Sequence, residues 1–283
     1  MTADDESAAD QVDPDDKDRR RLLKLLKEVP HWEELVDATP HLWHVQPGSD
    51  LAGDDAKTAP YQSSSLARHA LAVAVDHLGC LRASLLREAN PSEAVVYLHL
   101  FAQFTLVRAV IENAACAVWL LGPDDPLTRI SRRLALQVKQ VKNTDNLYTV
   151  LGHQHDKTLH EREEEVRDAG VRAGVPKEQV KKTLKAPDYS VIVQEAAAFT
   201  SLPPDTAELA WRGCSGLAHG DMDATLFFTD QQAEITLPDP DMTMIRFTGS
   251  LGLLSMFTHI AMIMANRGLE LYNERRIYYV ARV

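Results

Sequence analysis

VVYLHLFAQFTLVRAVIENAACAVWLL, residues 95–121, has apolar side chains at helical spacing along its length and a single pair of opposite charges, Arg108 and Glu112. These two are four residues apart and share one helix face, whereas His99, Gln103 and Asn113 fall on another. A helix this apolar belongs at the centre of a helical bundle, and at least one of its polar faces is then buried, where a charge must be paired. Two roles are open to Arg108 and Glu112: an internal ion pair that fixes packing, or support for functional groups on a neighbouring helix.

The segments on either side have the amphipathic character such a centre requires. Upstream, SSSLARHALAVAVDHLGCLRASLLRE (63–88) offers serines as N-caps and apolar residues at helical spacing through Leu86, with Asn90-Pro91 as its stop. The central helix itself is expected from Ser92, with Glu93 in its first turn, to Leu121, where Gly122-Pro123 ends it. A third helix is predicted from Asp125 to about Leu151. HQHDKTLHEREEEVRDAGVRAG (153–174) reads as helical but very polar, and Pro176, Pro187 and Pro203-Pro204 divide the next stretch into shorter helices. Asp205 is placed to cap a helix running to Ala218. ATLFFTDQQAEITLP (224–238) carries the one strand signal, a hairpin turning near Asp230 to Gln232, and a last helix runs from about Asp241 to Tyr272. The expected fold is therefore all-α, an antiparallel helical bundle with one small β-hairpin.

Three regions are expected: an acidic disordered tail over 1–18, a short helix with an irregular extension over 19–62, and the bundle over 63–283. The tail holds eight of the 41 acidic residues and one of the 30 basic ones, so the remaining chain carries 29 basic against 33 acidic groups. A net charge of −11 thus shrinks to −4 over the folded part, which permits a local basic site without predicting one. RRRLLKLLKEV (19–29) reads as a basic amphipathic helix packed on the body, and Trp32 and Trp43 as anchors of the extension. Cys80, Cys116 and Cys214 are dispersed, with no C-x-x-C, so neither a disulfide framework nor a cysteine zinc site is indicated and a cytoplasmic location is expected. The acidic N-terminus lacks the basic and apolar regions of a secretory signal. Phe247 to Asn266, twenty residues without a formal charge, is the one membrane candidate, and its serines, Thr258, His259 and two glycines favour a buried core helix instead.

Two clusters of chemistry-bearing residues stand out. His153, His155, Asp156, His160 and Glu161 lie close in sequence, and Asp156 with His160 at i, i+4 on a helix has metal-ligand spacing. A di-metal bundle also needs Glu-x-x-His pairs on facing helices, and the pair present, Glu28 to His31, sits outside the bundle. The run continues into EREEE, so a solvated face is preferred and no metal is expected. The second cluster is WRGCSGLAHGDMD (211–223). On a helix, Arg212 and His219 lie seven residues apart on nearly one face with Ser215 between them, and Gly220 suits the helix end. Gly213, Cys214, Gly216 and Ala218 leave room for a close helix neighbour. Acid–base chemistry on a phosphate and a small-residue packing seam both fit this pattern.

An all-helical bundle in which an Arg is followed, after four to six residues, by a His resembles the HEPN superfamily, many of whose members are metal-independent ribonucleases while others have lost activity. The resemblance covers Ser63 to Tyr272, with RAVIENAACAVWLL on an early helix and SGLAHG on a late one. It implies RNA cleavage by attack of the ribose 2′-hydroxyl on the adjacent phosphate, with His219 as general acid or base, Arg212 stabilising the developing charge and Ser215 beside them. Arg108, Glu112 and Asp221 are then supporting residues, and no cofactor is called for. A homodimer with the site across its two-fold axis is implied as well, as is a role as a toxin or phage-defence effector with RNA as substrate and an antitoxin or defence-system partner. The alternative is a catalytically inactive HEPN-like binding module; a metal or small-molecule enzyme in a helical bundle ranks third. A ribonuclease predicts Arg212 and His219 converging in an open positive cleft, and a binding module predicts an occluded motif beside an apolar surface.

Overall fold

Helices make up most of the chain, seen in a computed structural model that describes residues 14–37, 43–90, 93–236 and 243–278. The first three are α1 (Pro14–Leu26), α2 (Val29–Asp37) and α3 (Asp50–Thr58). The basic amphipathic stretch lies in α1 and packs on the body, with Leu22, Leu26 and Val29 fully buried and Trp32 and Trp43 nearly so. Two expectations change here. Residues 14–18 are not part of a disordered tail but the first turns of α1, where Asp15 and Asp16 favour the positive end of the helix and Asp16 pairs with Arg19 at 2.6 Å; residues 1–13 lie outside the described residues. The extension is also more regular than its Pro, Gly and Asp content suggests. Ser49 caps α3 by accepting from Ala52 N at 3.2 Å, and Trp43 is fixed by its indole N–H to the Leu35 carbonyl (2.8 Å) and by edge contact with Tyr272.

α4 (Ser63–Leu85) starts at the expected serines, although Gln62 occupies the N-cap position and no side chain caps the helix there. The chain then forms an antiparallel pair, β1 (Leu86–Asn90) with β2 (Glu93–Val96), and α5 (Ala102–Leu121) begins ten residues later than Ser92. Val95 and Val96, β-branched and opposite Arg87 and Leu86, suit a strand better than a first helical turn. Gln103 sets the late helix start. Its buried amide accepts from His99 N (3.0 Å) and donates to Tyr97 O (2.7 Å), satisfying backbone groups that would otherwise need helical partners. Twelve of the 20 residues of α5 are buried, and the helix packs on α4 and four later helices, so it is the central element the sequence called for. Among the described residues α5 is the one helix long and apolar enough to cross a membrane, and 67% of its apolar window is buried inside the protein, as a core helix requires.

After Gly122, Asp125 caps α6 (Pro126–Val150) by accepting from Thr128 N at 2.8 Å. α7 (Leu159–Ala173) begins with a capping box between Thr158 and Glu161, so residues 151–158 are not helical. Next come α8 (Val180–Thr183), α9 (Tyr189–Ala197) and α10 (Pro204–His219). Asp205 sits inside the first turn of α10 and its expected cap position is occupied by Pro203, whose lack of an N–H costs nothing there. Gly220 ends α10 with φ 69°, and Asp221 N closes the turn on Gly216 O at 2.9 Å. The expected 224–238 hairpin is displaced. Asp221 caps a short α11 (Met222–Phe228), and the strands are β3 (Thr229–Thr236) and β4 (Thr243–Gly249), paired from Thr229 opposite Gly249. No turn occurs at Asp230 to Gln232, which lie within β3. The final helix is α12 (Leu251–Arg276), so the Phe247 to Asn266 membrane candidate is split between β4 and α12.

The described residues fold as a helical bundle with two small antiparallel strand pairs, one more than the expected hairpin. A large core unites α4, α5, α9, α10 and α12 around Leu71, Phe104, Ile111 and Phe257, and a second core joins α6, α7 and α8 around Leu134, Val166 and Leu184. α3 bridges them through a buried ion pair, Asp54 with Arg129, at 2.6 and 3.1 Å. Arg129 also donates to the carbonyls of Pro123 and Asp124, which leaves no spare guanidinium charge facing apolar surroundings. Gly216 matters for the site. A Cβ there would lie 2.5 Å from that of Ala224, so the absence of a side chain is what lets α11 fold back against α10.

Candidate functional site

The packing of α10 against α5 brings His219 onto Arg108. Arg108 Nη1 lies 3.1 Å from His219 Nε2, while its Nε donates to Glu112 Oε1 at 2.9 Å. The same carboxylate oxygen accepts the indole N–H of Trp211 at 2.9 Å. A chain of contacts therefore runs from Trp211 to Glu112, on to Arg108 and out to the exposed His219. A guanidinium has no acceptor, so a hydrogen bond across this contact requires the lone pair on His219 Nε2 and the ring proton on Nδ1. Arg108 and Glu112 are only 25% and 18% exposed, so the pair is better shielded from solvent than an ordinary surface bridge.

Arg212 is elsewhere. Its guanidinium is 62% exposed and turned back one turn to Glu208, with contacts of 2.6 and 2.7 Å, and it hovers over the Trp211 ring at 5.8 Å. Glu208 is held in turn by the Gln194 amide. The expected convergence of Arg212 with His219 is replaced by convergence of Arg108 with His219. A Glu four residues before an Arg is a strong local competitor, and it captures Arg212 before the seven-residue span to His219 can be bridged. The surroundings of His219 are also not strongly positive, because Glu112 matches Arg108 and Glu208 matches Arg212.

Ser215 lies one turn before His219 on the same face of α10 and is partly exposed. Asp221 does not orient His219; its carboxylate accepts from Ala224 N at 3.0 Å as the α11 cap. Cys214 is fully buried and desolvation pushes its thiol upward, which removes it as a nucleophile. Tyr189, at the start of α9, was not singled out by sequence. Burial raises its hydroxyl, Glu112 and Arg108 are close enough for their charges to act on it, and the Lys139 ammonium lies 4.8 Å from its ring centre.

The metal-like cluster disperses. His155 stacks on Tyr148 with ring centres 3.8 Å apart, and Asp156 precedes α7, so it is not one helical turn from His160 on a common face. Glu161 is engaged in the Thr158 capping box. Among the described residues no three His, Cys, Asp or Glu side chains are grouped to hold a metal ion. Scans of protein-family models, of curated proteins and of solved structures give no match to this chain.

Proposed function

We propose that this chain is a metal-independent, HEPN-like endoribonuclease in which His219 is the acid–base group and Arg108, rather than Arg212, is its phosphate-binding cation. The observation that carries the reading is the 3.1 Å contact between an exposed imidazole and a guanidinium held from behind by Glu112, which Trp211 holds in turn. An ion pair serving packing alone would be complete with Glu112, yet Arg108 extends its second arm to the histidine. A phosphate oxygen entering the site competes for that arm. Its binding frees Nε2, which then takes the proton of the ribose 2′-hydroxyl. The 2′-oxygen attacks phosphorus, the bond to the 5′-oxygen breaks, and the departing oxygen takes its proton from solvent or from a second copy's imidazole. Arg108 remains on the non-bridging oxygens, where negative charge grows.

The products of this reaction are a 2′,3′-cyclic phosphate and a 5′-hydroxyl, and none of its steps uses a metal. Purified protein with EDTA in excess is therefore expected to cut a mixed-sequence RNA as fast as it does without chelator, with those end groups in the products. RNA left uncut, or cutting abolished by EDTA and restored by magnesium, refutes the reading.

A second reading, the catalytically inactive binding module, is favoured by the face of α11 that begins three residues after His219. Met222, Leu226 and Phe227 are 70%, 53% and 81% exposed, an apolar surface beside the motif. The two readings share one consequence, since an RNase site completed across a two-fold axis places its partner against this same face. We expect a homodimer at micromolar concentration by light scattering, and Phe227→Asp to convert it to a monomer. A wild-type monomer would remove both the dimer and the second imidazole from the scheme. A toxin or phage-defence role in the cytoplasm belongs to this proposal and is tested by growth arrest on expression of the wild type but not of His219→Ala.

A further inference from the structure

A trough runs beside α6. Thr128, Ser131, Ala135, Val138 and Lys142 line it from α6 at the three- and four-residue spacing of one helix stripe, with Lys139 beside them, and residues of α8 and the segment after it form the opposite wall. Two adjoining concavities of about 350 and 370 Å³ make up the trough and share Lys185. From Thr128 to Lys142 it spans roughly 20 Å of helix at ~1.5 Å per residue.

The charge in its second half is out of keeping with a chain of net −11. Lys139, Lys142, Arg167, Lys181 and Lys185 line that concavity with one carboxylate, Asp188. Glu163 engages Lys142 and Arg167 at 3.3 and 2.6 Å, and Arg167 also reaches Glu164. Among the described residues no carboxylate lies within 4.0 Å of Lys139, Lys181 or Lys185. These three point to a polyanion. Lys139 also lies against the Tyr189 ring, which is 39% exposed, next in sequence to Asp188 of the trough and within electrostatic reach of Arg108 and Glu112. The ring thus touches one of the lysines and lies within electrostatic reach of the Arg108–Glu112 pair. Cations that track a backbone, next to an aromatic face, are the parts a single-stranded nucleic acid needs.

We infer that the trough between α6 and α8 seats the phosphate backbone of single-stranded RNA leading to the Arg108–His219 site, with Lys139, Lys181 and Lys185 as phosphate contacts and Tyr189 as a stacking surface for a base. The choice of RNA as the polyanion rests on the ribonuclease reading; the trough and its charges do not.

The test is fluorescence anisotropy with a labelled ten-nucleotide 2′-O-methyl oligouridine, which cannot be cut by 2′-oxygen attack. The double variant Lys181→Glu/Lys185→Glu is expected to weaken binding at least tenfold. It should also flatten the plot of log affinity against log salt by about 1.4, from ~0.7 per lost phosphate contact. Tyr189→Leu is expected to weaken binding at least fivefold with less change in the salt slope. Lys181 and Lys185 are exposed, so the variants should keep the wild-type circular-dichroism melt. Wild-type affinity in the double variant, no binding by the wild type, or equal competition by polyglutamate overturns the inference. The ribonuclease reading fails separately. Trough-dependent binding without any cleavage of unmodified RNA upholds the trough and removes the nuclease, whereas cleavage indifferent to Lys181 and Lys185 does the reverse.

Discussion

Arg129→Met lowers the stability of the fold by about 3–5 kcal/mol, the cost of leaving one member of a buried ion pair without its partner. Asp54 and Arg129 have side chains only 3% and 2% exposed, and Arg129 links α3, the Pro123–Asp124 turn and α6. Methionine fills much of the volume but supplies none of four donated hydrogen bonds. The effect depends on pH in a defined direction. Desolvation raises Asp54 above the usual carboxylate range, and Arg129 opposes that rise through its hydrogen bond and its charge. Removing Arg129 therefore raises Asp54 further. A carboxyl whose folded pKa lies above its unfolded one binds more protons in the native state, so its burden on stability is absent below the unfolded pKa and grows as pH rises through the folded one. Chemical denaturation of the variant should show its deficit against wild type smallest near pH ~4 and largest at neutral pH. A deficit under about 1 kcal/mol at neutral pH, or one that grows on acidification, would mean that the pair does not hold the two cores together.

The legible parts of this fold are those whose boundaries have local chemistry. Asp125-Pro126 and Gly220 mark helix ends by cap or backbone preference, and α6 and α10 begin or end within a residue or two of them, whereas α4 starts at Ser63 without a serine cap. The β1–β2 pair was not legible. Leu86 and Val95–Val96 fit either a helix face or a strand, and the deciding contact is a buried glutamine amide that binds the loop after β2, a tertiary interaction. α11 was missed for a related reason: ATLFF has strand-like composition, but Asp221 caps it and Gly216 opens a place for it on α10. At the site, sequence periodicity correctly put Arg212, Ser215 and His219 on one helix and Arg108 with Glu112 on another. It could not show which arginine meets the histidine, because that depends on how α5 and α10 pack. The Glu208–Arg212 spacing did carry a signal, since a carboxylate one turn earlier competes for the arginine at close range.

Loss of either member of the Arg108–His219 pair is expected to reduce RNA cleavage by orders of magnitude with the fold intact. His219 is exposed and serves no helix cap, so His219→Ala costs little stability while removing the proton acceptor, a loss of about 100- to 10,000-fold. Arg108→Ala removes a preorganised cation from the developing charge, a loss of about 100- to 1,000-fold, and leaves Glu112 with the Trp211 indole as its partner. Arg108→Lys restores the charge but not the fork that reaches Glu112 and His219 together, and should recover only part of the rate. Among the described residues Arg212 makes no hydrogen bond or ion pair with either group, and Arg212→Ala exchanges an exposed bridge to Glu208 for solvent. The single-turnover rate of RNA cleavage in EDTA, measured for Arg108→Ala beside Arg212→Ala, separates the two arginines. The proposed ribonuclease reading predicts a loss of at least about 100-fold for Arg108→Ala and less than about threefold for Arg212→Ala; the opposite order, or equal rates in both, would mean that Arg108 is not the cation that works with His219.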